Sequence, residues 1–133
     1  MQVRVHHIAL SAADLDRSSA FYDPVLTVLG YQRHGDRSSP LVYGGDGPDI
    51  LVYAVEGPDA APHRHGRPGL QHVALHVDEP ELVDTFCRAA MGTGAAIVHE
   101  PRFYDYMPGY YAVFVEDPDG SRIEVVHIAA GVA

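Results

Sequence analysis

The chain of 133 residues suits one compact domain with a real core, and its 47% hydrophobic and 20% charged residues are ordinary for a globular protein. A formal net charge of −9, with only nine Lys and Arg, argues against nucleic-acid and anionic-membrane partners, because phosphate binding is driven by clustered cations. One cysteine excludes an internal disulfide framework, no apolar run is long enough to span a membrane, and Met1-Gln2-Val3-Arg4 leads into a strand pattern, so a cytoplasmic protein is expected.

Val3 to Leu10 reads as a strand. Ser11 to Asp14 offer helix-start residues ahead of an apolar stripe of Leu15, Ala20, Phe21, Val25 and Leu29, which Gly30 ends and Pro24 is expected to kink or restart. Three short strands follow at Tyr31 to His34, Pro40 to Tyr43 and Ile50 to Val55. The Gly-, Pro- and His-rich stretch up to Pro68 has no periodicity and reads as a linker, its His63 and His65 as ordinary surface residues.

The pattern then starts again. Gln71 to Val77 is a strand; Asp78-Glu79-Pro80-Glu81 resembles a capping box; Leu82, Phe86, Ala89 and Ala90 make a helical stripe on which Cys87 is a buried structural thiol; Gly92 and Gly94 stop it. Strands are expected at Ala96 to His99, Tyr110 to Glu116 and Arg122 to Ile128, with Arg102 to Gly109 as an insertion. The last two strands flank Asp117-Pro118-Asp119-Gly120, in which proline presets a turn and glycine accepts a positive φ, so a hairpin forms.

The chain is therefore α+β, built from two tandem βαβββ modules, residues 1–58 and 69–133, with a linker at 59–68. The repeat is legible residue by residue. His7-Ile8-Ala9-Leu10 recurs as His72-Val73-Ala74-Leu75, and the run from Asp46 to Val52 recurs as Asp119 to Val125. Repeats of this kind pack about a pseudo-twofold axis and bring equivalent positions together, here His7, Leu51, His72 and Glu124.

Glu124 sits between Ile123 and Val125 on a strand, and a carboxylate flanked in this way needs a cation, since burying an unpaired ion costs several kcal/mol. Two imidazoles and one carboxylate form a set suited to a divalent metal that leaves coordination positions open for substrate, and they admit Fe, Mn, Ni, Co or Zn. His6 falls on the opposite strand face from His7, whereas His76 shares a face with His72 and lines the cleft with Leu51.

The tandem modules, the two His-(Ile/Val)-Ala-Leu strands and the Asp-Pro-Asp-Gly-x-x-Ile-Glu hairpin resemble the vicinal oxygen chelate superfamily of glyoxalase I, fosfomycin- and bleomycin-resistance proteins and extradiol dioxygenases. The resemblance implies a glyoxalase-like fold, a cleft-shaped incomplete barrel, with metal ligands at His7, His72 and Glu124. It places the family's fourth ligand at Leu51, where glyoxalase I has a glutamate, unless Asp46 or Asp49 fills that place through a shifted register. Phe114 stands where dioxygenases of the family carry a tyrosine, and the basic and hydroxyl cluster of the fosfomycin enzymes has no equivalent.

Substrate contacts are expected from Arg102, Tyr104 and Tyr106 of the insertion and from the Tyr110-Tyr111 pair that follows it, with Tyr106, Tyr111 or a metal-bound water as proton carrier beside the catalytic Glu124. The implied activity is metal-dependent chemistry on neighbouring oxygens of a small, aromatic or carbonyl-bearing substrate, in a homodimer. The rival reading is a non-catalytic protein of the bleomycin-resistance type that sequesters a drug.

Overall fold

The computed structural model describes residues 1–36, 38–56 and 60–129. The expected boundary between first module and linker, at residues 58 and 59, and the last residues of the second module lie outside the described residues. The first module runs β1 (His7–Ala12), α1 (Leu15–Thr27), β2 (Gln32–His34), β3 (Leu41–Gly44) and β4 (Asp49–Ala54). The second repeats it as β5 (Val73–His76), α2 (Pro80–Gly92), β6 (Ala96–Tyr104), β7 (Tyr110–Glu116) and β8 (Arg122–His127). Each module makes one four-stranded mixed sheet, ordered β1-β4-β3-β2 and β5-β8-β7-β6, and the two sheets are not closed into a barrel.

The repeat seen in the sequence is an equivalence of register. In the first sheet Leu51 lies between Ala9 and Val42; in the second Glu124 lies between Ala74 and Phe114. Leu51, rather than Asp46 or Asp49, is thus the counterpart of Glu124, and no shifted register brings a carboxylate to that place.

Both helices press onto one shared core. Phe21, Tyr22 and Val25 of α1 and Val83, Phe86 and Ala90 of α2 bury against Leu41, Tyr43 and Val52 of one sheet and Val113, Val115 and Val125 of the other. Apolar burial of this kind stabilises by roughly 25 cal/mol per Å². The period of two then turns the alternate residues to the opposite faces: His7, Ala9 and Ser11 are exposed on β1, Ala74 and His76 on β5. Cys87 is buried, as a structural thiol should be.

Four details depart from the sequence pattern. Helix α1 continues through Pro24 without a restart, because Phe21, Tyr22, Val25 and Leu26 on either side of the missing amide are all buried and hold the chain in place; Ala20 of the expected stripe is exposed. Glu79, not Asp78, caps α2, and its carboxylate makes no capping hydrogen bond among the described residues; Pro80 at the first helical position, with its preset φ, starts the helix instead. Strand β1 begins at His7 rather than Val3. The expected insertion starts as strand: Arg102, Phe103 and Tyr104 pair with Ala112, Tyr111 and Tyr110, leaving Asp105 to Gly109 as the turn.

The β7–β8 turn ties the modules together. Oδ1 of Asp117 accepts the amides of Asp119 and Ser121, both at 2.9 Å, while its Oδ2 accepts the Tyr22 hydroxyl of α1 at 2.5 Å. Oδ1 of Asp119 accepts the Ala13 amide at 3.1 Å and pairs with Arg17 at 3.2 Å, and its carbonyl accepts the His63 amide at 2.7 Å. Burial pushes the Asp117 carboxyl and, more strongly, the Tyr22 phenol upward.

Gly120 has φ +85°, and a Cβ there would lie 2.3 Å from the His63 carbonyl oxygen. Gly120→Ala combines left-handed strain with a backbone clash and is expected to cost about 2–4 kcal/mol, read as a lowered urea midpoint with unchanged slope.

Candidate metal centre

The face of the second sheet turned away from the helices carries the candidate centre. Cross-strand register sets Ala74, Glu124, Phe114 and His99 in one row, and Val126 and Ala112 in the next. Ala112, Phe114 and Val126 form a small second apolar cluster with Tyr104 and Tyr110 packed against it. Glu124 lies within this surface at 1% exposure.

Each oxygen of that carboxylate has a partner. Oε1 lies 3.0 Å from Nε2 of His72, and Oε2 accepts a hydrogen bond from the Tyr110 hydroxyl. Burial first, and then Glu124, push the Tyr110 phenol above its ordinary range. The other ring nitrogen of His72, Nδ1, meets the side-chain oxygen of Gln71, and Phe114 closes edge-on against the imidazole with centroids 5.7 Å apart.

Two ligand atoms about 2.1 Å from one ion and at right angles to each other lie about 3 Å apart. Nε2 of His72 and Oε1 of Glu124 have that separation, 3.0 Å, so this pair fits two positions of a divalent ion. His7 is not beside them. It stands exposed on β1 of the other sheet with its Nδ1 2.8 Å from Nδ1 of His6. Among the described residues no group of three or more His, Cys, Asp or Glu side chains gathers closely enough to hold a metal. Leu51 is half-buried on the same sheet as His7.

Aromatic rings extend the site along β6 and β7. Tyr104 and Tyr106 stack with centroids 5.3 Å apart, and Tyr110 stands edge-on to both. Arg102 places its guanidinium 4.6 Å from the centre of the Tyr104 ring. The Tyr104 hydroxyl is buried without a hydrogen-bond partner among the described residues, whereas Tyr106 is 67% exposed. Tyr111, adjacent to Tyr110, points to the helix side of the sheet, where its hydroxyl donates to Asp84 of α2 at 2.6 Å. His76 falls opposite Val126, in the row next to Glu124, and lines a cavity of about 950 Å³ with Arg4, His6, Tyr31, Asp49 and Asp78. That cavity contains neither His72 nor Glu124, so the donor pair and not the cavity marks the centre.

Tyr110, expected together with Tyr111 among the substrate contacts, is separated from it only by strand alternation on β7. Two residues of the site escaped sequence reasoning. Gln71 and His99 carry no motif, and only the fold sets them against His72 and Phe114.

Comparison with known proteins decides the family. The sequence profile of the glyoxalase/bleomycin resistance protein/dioxygenase superfamily matches residues 4–125. The chain belongs to that superfamily. It is 32% identical over 124 residues to the uncharacterised protein YqjT of Bacillus subtilis, covering 92% of this chain and 97% of that one. A solved glyoxalase/bleomycin resistance protein from Albidiferax ferrireducens is 25% identical, with a TM-score of 0.75 over 91% of this chain and 95% of its own. The fosfomycin resistance protein FosX of Listeria monocytogenes shares the fold, with a TM-score of 0.71 at 18% identity over 98% of this chain and 97% of its own. Among the described residues, no helix of this superfamily member is long and apolar enough to cross a membrane.

The Tyr111–Asp84 hydrogen bond raises the Tyr111 phenol to about 12, with burial adding to it. The unfolded chain releases that proton near the ordinary tyrosine value of about 10, so between roughly pH 10 and 12 the unfolded state binds fewer protons and stability falls as pH rises. Thermal melts across pH 9 to 11.5 are expected to show that decline, and Tyr111→Phe is expected to lessen it, the raised Tyr22 and Tyr110 phenols supplying the remainder.

Proposed function

We propose that this superfamily member is a divalent-metal-dependent enzyme acting on neighbouring oxygens of a small aromatic or carbonyl-bearing substrate. The observation that carries this reading is the buried Glu124 carboxylate, with Oε1 3.0 Å from Nε2 of His72. His72 and Glu124 hold the ion from one chain, and His7, its exposed counterpart on β1, supplies the third ligand from a second copy in a homodimer. The separate placement of His7 and the open face of each sheet support a centre shared between two chains.

A bound divalent ion supplies Lewis-acid stabilisation of negative charge developing on substrate oxygens. The protein does the rest. Phe114, Tyr104 and Tyr106 offer ring faces against which a planar substrate stacks and from which water is excluded. The unpartnered Tyr104 hydroxyl is a donor or acceptor for a substrate oxygen, and the Arg102 guanidinium above its ring adds fixed positive charge beside it. Tyr106, exposed at the mouth of this wall, is placed to pass a proton to and from solvent. Leu51 cannot move a proton, which separates this chemistry from that of an enzyme with a second catalytic carboxylate at that position.

Protein purified without added metal is expected to retain stoichiometric divalent metal by elemental analysis, and Glu124→Gln and His72→Ala to lose it. Metal-free wild-type protein that nonetheless binds an aromatic drug tightly would instead establish sequestration. The shared centre has its own check. His7→Ala and Glu124→Gln, each metal-depleted alone, are expected to regain about a quarter of the wild-type metal content when unfolded and refolded together, because random pairing makes half of the dimers mixed and each mixed dimer keeps one of its two sites. No regain in a dimer shown to be mixed would rule out sharing.

A further inference from the structure

The two modules treat their candidate ligand histidines alike in a way the sequence repeat does not disclose. In the second module Gln71, the residue directly before His72, sets its side-chain oxygen on Nδ1 of that imidazole. An amide oxygen can only accept, so Nδ1 carries the proton, and Nε2 is left facing Glu124. In the first module His6, the residue directly before His7, occupies Nδ1 of His7 at 2.8 Å, and Nε2 of that ring has no hydrogen-bond partner among the described residues. His6 and Gln71 share no chemistry except a side-chain nitrogen or oxygen that can pair with an imidazole nitrogen, yet they stand at equivalent positions.

The carboxylate is handled in the same manner. Tyr110 occupies Oε2 of Glu124 and leaves Oε1 directed at His72. Tyr110 comes from β7, two residues beyond Ala112, on the face shared by Phe114 and Glu124, and its hydroxyl reaches diagonally back along the sheet. Every candidate ligand thus has one of its two possible donor atoms engaged from behind, while the other, in His72 and Glu124, is turned toward its fellow ligand. That is the arrangement by which outer hydrogen bonds fix the tautomer, the rotamer and the denticity of metal ligands.

Resting on the metal reading above, we propose that Gln71, Tyr110 and His6 are positioning residues. They fix Nε2 of His72, Oε1 of Glu124 and Nε2 of His7 as the ion-facing atoms, with Glu124 bound through a single oxygen. None of the three touches the ion or the substrate; each acts through the ligand it holds.

The test is metal affinity, measured on the purified full chain by competition of Mn²⁺, Ni²⁺ and Zn²⁺ against a fluorescent chelator. Gln71→Ala, His6→Ala and Tyr110→Phe are each expected to weaken binding by about 10- to 100-fold. Gln71→Glu keeps an acceptor oxygen at Nδ1 of His72 and is expected to stay close to wild type, a rescue that a merely structural role for Gln71 would not produce. Gln71 is exposed, so its variants test the proposal even if Tyr110→Phe fails to fold. Wild-type affinity in Gln71→Ala and Tyr110→Phe, alongside loss of the ion in Glu124→Gln, would overturn the positioning roles and leave the metal centre standing. A wild-type chain that takes up none of the three ions would overturn both.

Discussion

Asp117 and Asp119 hold the molecule together at a single turn. Their carboxylates close the β7–β8 hairpin through the amides of Asp119 and Ser121 and, from the same few atoms, reach Ala13, Arg17 and Tyr22 of the first module. A buried carboxyl is costly unless its oxygens are engaged, and here both Asp117 oxygens are. Because the turn fixes where β8 starts, it fixes which β8 residues face the helices and which face outward. Ile123 and Val125 enter the shared core, and Glu124 is turned to the opposite face.

That face is a compromise between packing and chemistry. Apolar neighbours such as Phe114 and Val126 exclude water from Glu124, which strengthens its hydrogen bonds with Tyr110 and His72 while making each of them necessary. The first sheet mirrors this arrangement with half its content: a histidine at the equivalent strand position, but Leu51 where the second has Glu124. One module thus carries a carboxylate and a histidine at these positions, the other a histidine alone.

Much of the architecture was legible before any coordinates. Alternating β-branched strands, two 3.6-period stripes and the recurring His-x-Ala-Leu segments were sufficient for the two βαβββ modules, and the Asp-Pro-Asp-Gly turn for their closing hairpin. Local rules failed where tertiary packing outweighed them. Pro24 stays inside α1 because buried side chains on both sides hold the helix, and Arg102 to Tyr104 become strand because β7 offers them a ladder. In the site, the need of Glu124 for a close partner was readable from its apolar flanks, but the identity of the hydroxyl on its second oxygen was not. Tyr110 and Tyr111 look alike in the sequence; alternation sends one to Glu124 and the other to Asp84.

What the sequence determined by itself is whatever depends on neighbours along the chain: strand and helix periods, the turn, the repeat, and the residue types able to ligate a metal. These follow from backbone geometry and side-chain chemistry, which act over a few residues. Only the tertiary structure decided which of those residues meet. His72 and Glu124 are 52 positions apart, yet their donor atoms lie 3.0 Å apart, while His7, their partner by pattern, stands on a separate sheet. The reason is physical: β5 and β8 are joined by a hydrogen-bonded ladder, whereas the two sheets touch through their helices and shared core.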